Sequence, residues 1–432
     1  FDCVKSCTAS DGNVYRQPQQ HLVERTRAFY IMGDFGLALP FGWELDGNMG
    51  YRYVRTSVHG EGMMTFTAVT KTDSYDPARP GAAGGAVTNS VSQPVAIDAT
   101  SHDFLPIYNL ALWLVPDRLV ARYNHARAVA RPPVADLLPS GTCRYDATLQ
   151  DTNPGAAQGC SGTIGNPALR AQTNGNQNLS VEYYPKRDTL FSVAVFRQEG
   201  KVGPAVPRGA NNVPLAGGAG LVDPTTGAAL GALDFNYSLW QNGAATTRKG
   251  LELGTKTAFT FLPWFLRYTG VDANYTRLRS ATSAENVVDL LTGTPLPPAR
   301  ESKYSYNWAV WYDDGRLSAR VAVQAVASYF TCIAGCGQLG VNDYTAVGVS
   351  ATRFPYNPGS PNFRDASRFI DGKISYKWKP NIEFFIEGRN LGNATTSNSQ
   401  ADFAPFAAGT PNLLDYAYAG RRIMVGVNFR TM

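Results

Sequence analysis

Six cysteines are the residues of this chain best suited to covalent or metal chemistry. They form three local pairs within loops rich in glycine, asparagine or proline: Cys3 and Cys7, Cys143 and Cys160, and Cys332 and Cys336. An even number of locally paired cysteines predicts disulfides and an oxidising compartment. A C-x3-C spacing can also ligate zinc, but none of the four histidines lies beside a pair, so we predict no metal site.

The pair Cys143 and Cys160 encloses a loop of about 16 residues, and closing such a loop contributes about 3 kcal/mol in the chain-entropy account. Two interpretations follow. The disulfide could stiffen an exposed loop against proteases, or it could preorganise a rim that captures a ligand. The sequence favours the first interpretation and leaves the second open.

Carboxylates could act as general acids or bases. Five of them fall on the polar face of predicted strands: Glu44, Asp46, Glu252, Glu383 and Glu387. Basic residues on the same predicted faces are their expected partners: Arg52, Lys256, Arg320 and Arg389. We therefore expect ion pairs or contacts with a plug. No G-x-S-x-G or H-E-x-x-H motif occurs, and we predict neither catalytic residues nor a cofactor, and no enzyme activity.

Aromatic side chains in the predicted loops could stack on sugar rings or on a metal chelate. Seven are candidates for ligand contact: Phe66, Tyr75, Tyr145, Tyr237, Trp240, Tyr344 and Tyr356. Tyrosine and tryptophan are also common where a protein meets the edge of a membrane. The residue type alone therefore leaves both roles open.

Strands are the elements that must position these side chains, and the pattern is clearest near the C-terminus. Four apolar residues lie on one face: Ile370, Ile374, Tyr376 and Trp378. Four polar residues alternate with them: Asp371, Lys373, Ser375 and Lys377. This period of two predicts a two-faced β-strand. The final strand repeats the pattern and ends at Phe429.

The same unit recurs along the chain, with short turns alternating with long loops across about thirteen strands. The turns are expected at residues 40–42, 115–117, 186–188, 262–264, 313–315 and 379–381. A polar loop is expected from the end of the second strand to about residue 102, and a strand is expected to begin at Phe265. Five aromatic residues beside the turns resemble an interfacial girdle: Trp43, Trp113, Trp264, Phe265 and Trp378.

Composition agrees with a membrane barrel, since charged residues are only 17% and aromatics reach 12%. No run approaches about 18 apolar residues, which excludes a helical span. The net charge of +5 is scattered, so we predict no nucleic-acid partner. A β-propeller would have shorter strands and more even connections. The sequence thus predicts an all-β fold: a transmembrane, antiparallel, up-and-down barrel with long extracellular loops and short periplasmic turns.

Three passages resemble the barrel of TonB-dependent outer-membrane receptors, in the branch typified by Xanthomonas and Caulobacter. They are LDGNMGYRYVRTSV at residues 45–58, the segment 104–139 with its continuation to NLSVEYYPKRDTLFSVAVF, and the final segment with Glu387-Gly388-Arg389-Asn390-Leu391 and Tyr418-Ala419-Gly420-Arg421-Arg422. The resemblance implies a plugged barrel of about 22 strands. Residues 1–432 would supply the last ~13 strands, with the plug and the early strands outside this sequence. The chain departs from the family in ending Arg430-Thr431-Met432 rather than on an aromatic residue.

The resemblance also implies a function. An outer-membrane receptor of this family in a Gram-negative bacterium would take up a scarce ligand with energy from the TonB complex, contacted through the N-terminal region. The ligand would be a carbohydrate or oligosaccharide, or a ferric siderophore. Outer-membrane lipids and lipopolysaccharide would surround the barrel. The alternative is a passive porin or a structural barrel within a larger surface assembly.

Overall fold

A computed structural model gives the fold over most of the chain. It describes residues 6–8, 10–12, 14–16, 20–79, 81–150, 153, 158–214, 234–282, 296–333, 361–400 and 412–430. Within these ranges, no α-helix combines the length and the hydropathy needed to cross a membrane. Cys3, Cys336, Tyr344 and Tyr356 lie outside the described residues.

The described residues fold almost entirely into β-strands. In chain order the strands are β1 Ser6–Thr8, β2 Val14–Arg16, β3 His21–Ala38, β4 Glu44–Lys71, β5 Ala86–Val115, β6 Leu119–Ala130, β7 Gly141–Asp146, β8 Gln158–Ile164, β9 Gln172–Lys186, β10 Thr189–Val202, β11 Ala205–Pro214, β12 Asp234–Asn242, β13 Thr246–Ala258, β14 Thr269–Thr282, β15 Tyr304–Asp313, β16 Leu317–Val326, β17 Tyr329–Ile333, β18 Pro361–Arg364, β19 Ser367–Lys379, β20 Ile382–Arg389, β21 Thr396–Gln400, β22 Asn412–Ala417 and β23 Arg422–Phe429. Short helical segments occupy Pro40–Gly42, Val134–Leu137 and Trp264–Tyr268.

Thirteen of these strands form the wall of a barrel, as the sequence predicted. Antiparallel pairings connect them in the order β3, β4, β5, β6, β9, β10, β13, β14, β15, β16, β19, β20 and β23. The seam of the barrel lies between β23 and β3. Two smaller sheets accompany the barrel, β1 with β2 and the four-stranded sheet β17, β18, β21 and β22.

The outer face of the wall is apolar over a broad band. Aliphatic side chains from neighbouring strands point away from the barrel axis and are about half exposed: Val193, Val195, Leu253, Val310, Val321, Ile374 and Ile386. No second layer of the described chain covers them. A contiguous exposed apolar surface of this extent marks a face that meets apolar surroundings. The predicted two-faced strands are therefore confirmed.

Aromatic residues project from the end of the barrel where the turns are short. Phe41 is 92% exposed and Trp264 is 82% exposed, and both have a positive φ within their turns. The turn at Pro40–Gly42 is confirmed. The strand expected to begin at Phe265 instead begins at Thr269, which corrects the prediction. A 3-10 turn precedes it, because both the amide and the hydroxyl of Thr269 donate to the carbonyl of Leu266.

The polar loop expected up to about residue 102 is also corrected. β4 and β5 pair without interruption from Glu44 opposite Trp113 to Lys71 opposite Ala86. Hydroxyl pairs on one face support this extension, with 2.9 Å between the oxygens of Thr65 and Ser92. The signal was present in the sequence as an alternation of Met64, Phe66 and Ala68 with threonines. This stretch resembles a loop in the sequence because threonine and serine, rather than charged residues, occupy the face of the strand that meets water.

Four further strands join this extension and make what we call the outer sheet: the ends of β4 and β5 with β7, β8, β11 and β12. β4 pairs with β7 in parallel, β7 with β8 antiparallel, β8 with β12 in parallel and β12 with β11 antiparallel. A buried cluster forms its core: Met64, Phe66, Ala68, Val95, Cys143, Ile164, Phe235 and Tyr237.

Replacing Phe235 with alanine tests that core. Phe235 has no exposed surface and its ring meets the Phe66 ring edge-on, with 6.0 Å between the centroids. We expect F235A to destabilise the outer sheet by about 3–5 kcal/mol, because a large cavity replaces the ring. Limited proteolysis in increasing urea would measure the loss.

Val87→Ala is the matched control, since Val87 lies on β5 in the same extension but is 47% exposed. Its stability should change by less than about 0.5 kcal/mol. Equal effects of the two substitutions would contradict the assigned core. The barrel itself should survive in both variants, as shown by the usual gel-mobility shift on heating.

Candidate functional site

The end of the barrel opposite the short turns gathers the cysteines of the β7–β8 hairpin and the candidate aromatic residues that the structure describes. Cys143 and Cys160 lie directly opposite each other in the β7–β8 hairpin and are joined by a disulfide. This pairing is confirmed. Cys332 is also disulfide-bonded. Cys7 lies in β1, and the pairing of Cys3 with Cys7 stays a prediction.

The disulfide-bonded hairpin is seated on the barrel wall. Cys143 is the register partner of Phe66 in β4 and is 1% exposed. The buried carboxylate of Asp146 pairs with Arg144 and accepts a hydrogen bond from the amide of Thr148 at 3.0 Å. The hairpin is thus held by a covalent bond, a hydrophobic core and a turn cap. It provides a stiff edge at the mouth of the barrel.

The candidate ligand-contact aromatics lie in or beside this outer sheet. Phe66 and Tyr237 are 2% and 7% exposed, so their rings are covered by the sheet itself. Tyr145 packs against the same core, and Trp240 packs against a second cluster around Leu137. In the described conformation these four rings hold the sheet together.

Tyr75 is placed differently from those four. Its hydroxyl donates to the carbonyl of Thr148 at 3.2 Å, and the ammonium of Lys71 lies 4.9 Å from its ring centroid. The ring therefore links the β4–β5 connection to the segment that follows the hairpin. Ligand contact by any of the seven aromatics stays a prediction.

A row of asparagines crosses the inner face of the wall, and no sequence motif marks it. Asn109 donates to the side-chain oxygen of Asn48 at 2.7 Å, and Asn124 donates to that of Asn109. Asn178 follows at the same height on β9. A similar pair joins Asn307 to Asn274 at 3.1 Å. The similar distances of these asparagines from the predicted turns were the signal that could have identified the row.

Some charged side chains on the inner face are paired with one another. Arg122 lies 3.2 Å from Glu182, which also accepts from the hydroxyl of Tyr184 at 2.7 Å. The expected pair of Glu387 and Arg389 is present at 2.7 Å.

The other predicted partners are arranged differently. Arg320 approaches Asp272 at 3.9 Å rather than one of the five selected carboxylates. In the described part of the chain, the remaining four form no ion pair: Glu44, Asp46, Glu252 and Glu383. The inner wall therefore offers amides, paired charges and unpaired carboxylates to a polar solute or a polar protein surface.

His59 lies on the extension of β4, beyond the part of the strand whose outer face is apolar. Its two ring nitrogens lie 3.1 Å from Glu61 and 2.8 Å from Asp98. Both nitrogens can donate only when the ring is protonated. Hydrogen bonds to Glu61 and then to Asp98 raise the pKa of His59 above its ordinary value.

The chain is similar to a known protein family and to several solved structures. The model of the family described as "TonB dependent receptor-like, beta-barrel" matches residues 6–391. Among curated proteins, none matches. Similar solved structures include the siderophore receptor PiuA from Acinetobacter baumannii, at 12% identity and a TM-score of 0.47, over 96% of this chain and 44% of that chain.

Two further receptors give comparable values. The ferric-catecholate import receptor Fiu from E. coli K12 has 14% identity and a TM-score of 0.49, over 98% of this chain and 47% of that chain. The ferric yersiniabactin uptake receptor FyuA from Yersinia pestis has 13% identity and a TM-score of 0.47, over 96% and 46%. The chain spans about half the length of these receptors.

Replacing both cysteines of the hairpin, C143S/C160S, separates the two roles considered for the disulfide. We expect residues 141–164 to be cleaved faster by protease, because about 3 kcal/mol of loop-closure stabilisation is lost. The barrel should remain folded. Ser161→Ala, an exposed change in the same hairpin, is the control and should behave as the parent protein.

If the disulfide only stiffens the hairpin, ligand affinity should be unchanged in C143S/C160S. Weaker ligand binding with an intact barrel would instead support a preorganised rim. A hairpin that resists protease equally well without the disulfide would contradict both roles.

Protonation of His59 should stabilise the extension of β4 and β5. Because the pKa is raised in the folded state, the contribution is fully present below the unfolded value of about 6.5 and disappears as pH rises through the folded pKa. Protease resistance of the extension should therefore be higher at pH 5.5 than at pH 8.5. His59→Gln should remove this difference.

His102→Gln provides the control, because His102 bonds the hydroxyl of Tyr53 at 2.6 Å rather than a carboxylate. This variant should keep the pH dependence. A pH dependence that persisted in His59→Gln would show that another group is responsible.

Proposed function

Because this chain belongs to the TonB-dependent receptor β-barrel family, we propose that it forms the barrel wall of a receptor that takes up a scarce ligand with energy from the TonB complex. The model of that family matches residues 6–391. The family match carries the proposal. The apolar outer band and the polar inner wall support it physically, since a membrane barrel needs both.

The proposed location is the outer membrane of a Gram-negative bacterium, with the apolar band in contact with lipid. The short turns with Phe41 and Trp264 face the periplasm, and the outer sheet faces the medium. This orientation follows the rule that outer-membrane barrels have short periplasmic turns and longer outward loops. Contact with the TonB complex is proposed through an N-terminal plug region.

Two ligand classes remain proposed. The asparagine row on the inner wall offers amide donors and acceptors to the hydroxyls of a carbohydrate or oligosaccharide. The arginines of the inner wall suit an anionic ferric siderophore. Transport by either route needs no catalytic side chain, and the family consists of transport receptors.

A passive porin is the second candidate, because its lumen would also be polar. The two functions differ in conductance. A steady open channel in planar bilayers would favour the porin, whereas a plugged receptor should conduct little current until its plug is displaced. The rigid hairpin at the barrel mouth fits either candidate.

Deleting the gene in its host tests the proposal. The mutant should lose energy-dependent uptake of one labelled ligand, and the parental gene should restore it. The same uptake should be absent from a strain without TonB. Separate cultures starved of iron or grown on glycans as the carbon source would show which ligand class induces the protein.

The matched control in that strain is the Ser161→Ala variant, an exposed change in the β7–β8 hairpin that should restore uptake as the parental gene does. Uptake that continues at full rate without TonB would contradict active transport. Induction by neither condition, with no uptake defect on iron chelates or glycans, would contradict both proposed ligand classes.

A further inference from the structure

One long edge of β5 has no neighbouring strand. β5 pairs with β4 along its whole extension, whereas β6 pairs with its other side only from Ile107 onward. Among the described residues, no strand pairs with that other side between Ala86 and Leu105. An unpaired strand edge presents a row of backbone donors and acceptors that can pair with another chain.

One hydrogen bond identifies the backbone groups that face this free edge. The guanidinium of Arg127 on β6 donates to the carbonyl of Phe104 at 3.2 Å, so this carbonyl points to the free side of β5. Backbone groups of alternate residues point to the same side of a strand. The residues of this parity beyond Phe104 are His102, Thr100, Asp98 and Ala96.

The next residue of the same parity is Pro94, which has no N–H to donate. Its position supports the assignment, because a proline whose nitrogen faced β4 would interrupt a ladder that passes it without a bulge. Proline is one of the residues that protect strand edges from further pairing. From Ala96 to His102 the edge has neither a proline nor a bulge, and its backbone groups are unprotected over about 20 Å.

A cleft of about 310 Å³ lies alongside this part of the edge. Ala99–His102 line one side of the cleft and Pro167–Arg170 line the other, and Thr56 and Val58 also contribute to its lining. Neighbouring strands of a sheet lie about 4.8 Å apart. A strand added to β5 would therefore occupy the cleft.

The far side of the cleft is held away from β5. Leu169 is 7% exposed and packs in a cluster with Val58 and Leu137. The side chain of Asn242 accepts from the amide of Arg170 at 3.0 Å and donates to the carbonyl of Arg170 at 2.8 Å. The cleft is thus preformed, and a partner would not have to open it.

The charges around the cleft distinguish among extended chains. Arg170 lines the cleft, is exposed and forms no ion pair within the described part of the chain. Arginine binds a carboxylate through two parallel hydrogen bonds. Asp98, whose side chain is 82% exposed, lies just beyond the residues that line the cleft and disfavours a second carboxylate there. A peptide whose one carboxylate is at its C-terminus matches this arrangement.

We propose that the free edge of β5, from Ala96 to His102, binds an extended peptide as an additional strand, with the C-terminal carboxylate of the peptide at Arg170. Backbone pairing supplies affinity with little regard to sequence, and the carboxylate fixes the register. The site is separate from the asparagine row and involves neither transport nor the TonB complex. It adds a binding activity to the proposed uptake of a ligand and does not depend on that uptake.

Fluorescence anisotropy with the protein purified in dodecyl maltoside provides the test. The probe is a soluble synthetic peptide of serine and threonine, about eight residues long so that it spans the edge, with a dye at its N-terminus and a free C-terminal carboxylate. Two comparison peptides have a C-terminal amide or a methyl group on every backbone nitrogen. The free carboxylate should bind about fivefold more tightly than the amide. The N-methylated peptide should bind at least about tenfold more weakly, because it cannot donate to the edge.

Hydrogen exchange of the backbone amides locates the bound probe. The edge amides should exchange at least about tenfold more slowly when the probe is bound, since each then donates to the peptide. They are the amides of Ala96, Asp98, Thr100 and His102. The amides of Thr65–Val69 in β4, which has partner strands on both sides there, should be unchanged.

Thr100→Pro removes one N–H from the edge and leaves the pairing with β4 intact, as Pro94 does. It should weaken binding of the probe by about tenfold. The matched control is Thr88→Pro, at the same parity of β5 but outside the cleft, and it should change affinity by less than about twofold. Arg170→Gln should abolish the preference for the free carboxylate, whereas Arg25→Gln, an exposed change on β3, should keep it.

Equal binding of the N-methylated peptide, or equal losses in Thr100→Pro and Thr88→Pro, would overturn strand pairing. A preference for the free carboxylate that persisted in Arg170→Gln would overturn the assigned carboxylate contact. If Thr100→Pro failed to fold, unchanged exchange of the edge amides in the parent protein with the probe would still overturn the site.

A second copy of the chain is the competing occupant of this edge. Exchange of the edge amides that slowed as the protein concentration rose, without the probe, would replace the peptide with that second copy. None of these outcomes bears on energy-dependent uptake, which deletion of the gene tests separately.

Discussion

Pairing of backbone hydrogen bonds is the constraint on which the rest of this structure depends. Every strand of the wall has an apolar face, so its amide and carbonyl groups cannot rely on water and must bond to neighbouring strands. The register that results also fixes the height of each side chain. Rows that are scattered in the sequence, such as Asn48, Asn109 and Asn124 inside and Arg197, Lys249 and Arg279 outside, are assembled by this register alone.

The same pairing continues beyond the apolar band, but there the two faces of β4 exchange roles. Near the turn the outward residues are apolar, and Met49 and Tyr51 are 44% and 54% exposed. In the extension the inward residues are apolar, and Met64 and Phe66 are each 2% exposed. A cluster that includes Cys143, Ile164 and Phe235 covers that inner face, while water replaces the apolar surroundings outside. One strand therefore serves two environments.

This exchange explains which predictions succeeded. The thirteen wall strands were predictable because their apolar and charged residues alternate strongly, and the disulfide because its cysteines are close in sequence. The extension of β4 and β5 was not, since Thr65 and Ser92 resemble loop residues until their register is known. Phe66 and Tyr237 were expected in loops for the same reason, whereas the structure places them in β4 and β12. A loop aromatic and a core aromatic differ only in what covers them.

The sequence by itself determined a barrel wall with an apolar outside, short turns at one end and a disulfide-closed loop at the other, because local alternation and spacing suffice for these. Only the tertiary structure decided which residues share a height and which face they occupy. That information depends on register between strands that are far apart in the sequence, as in the pairing of Glu44 with Trp113. The polar inner rows therefore belong to the fold rather than to any motif.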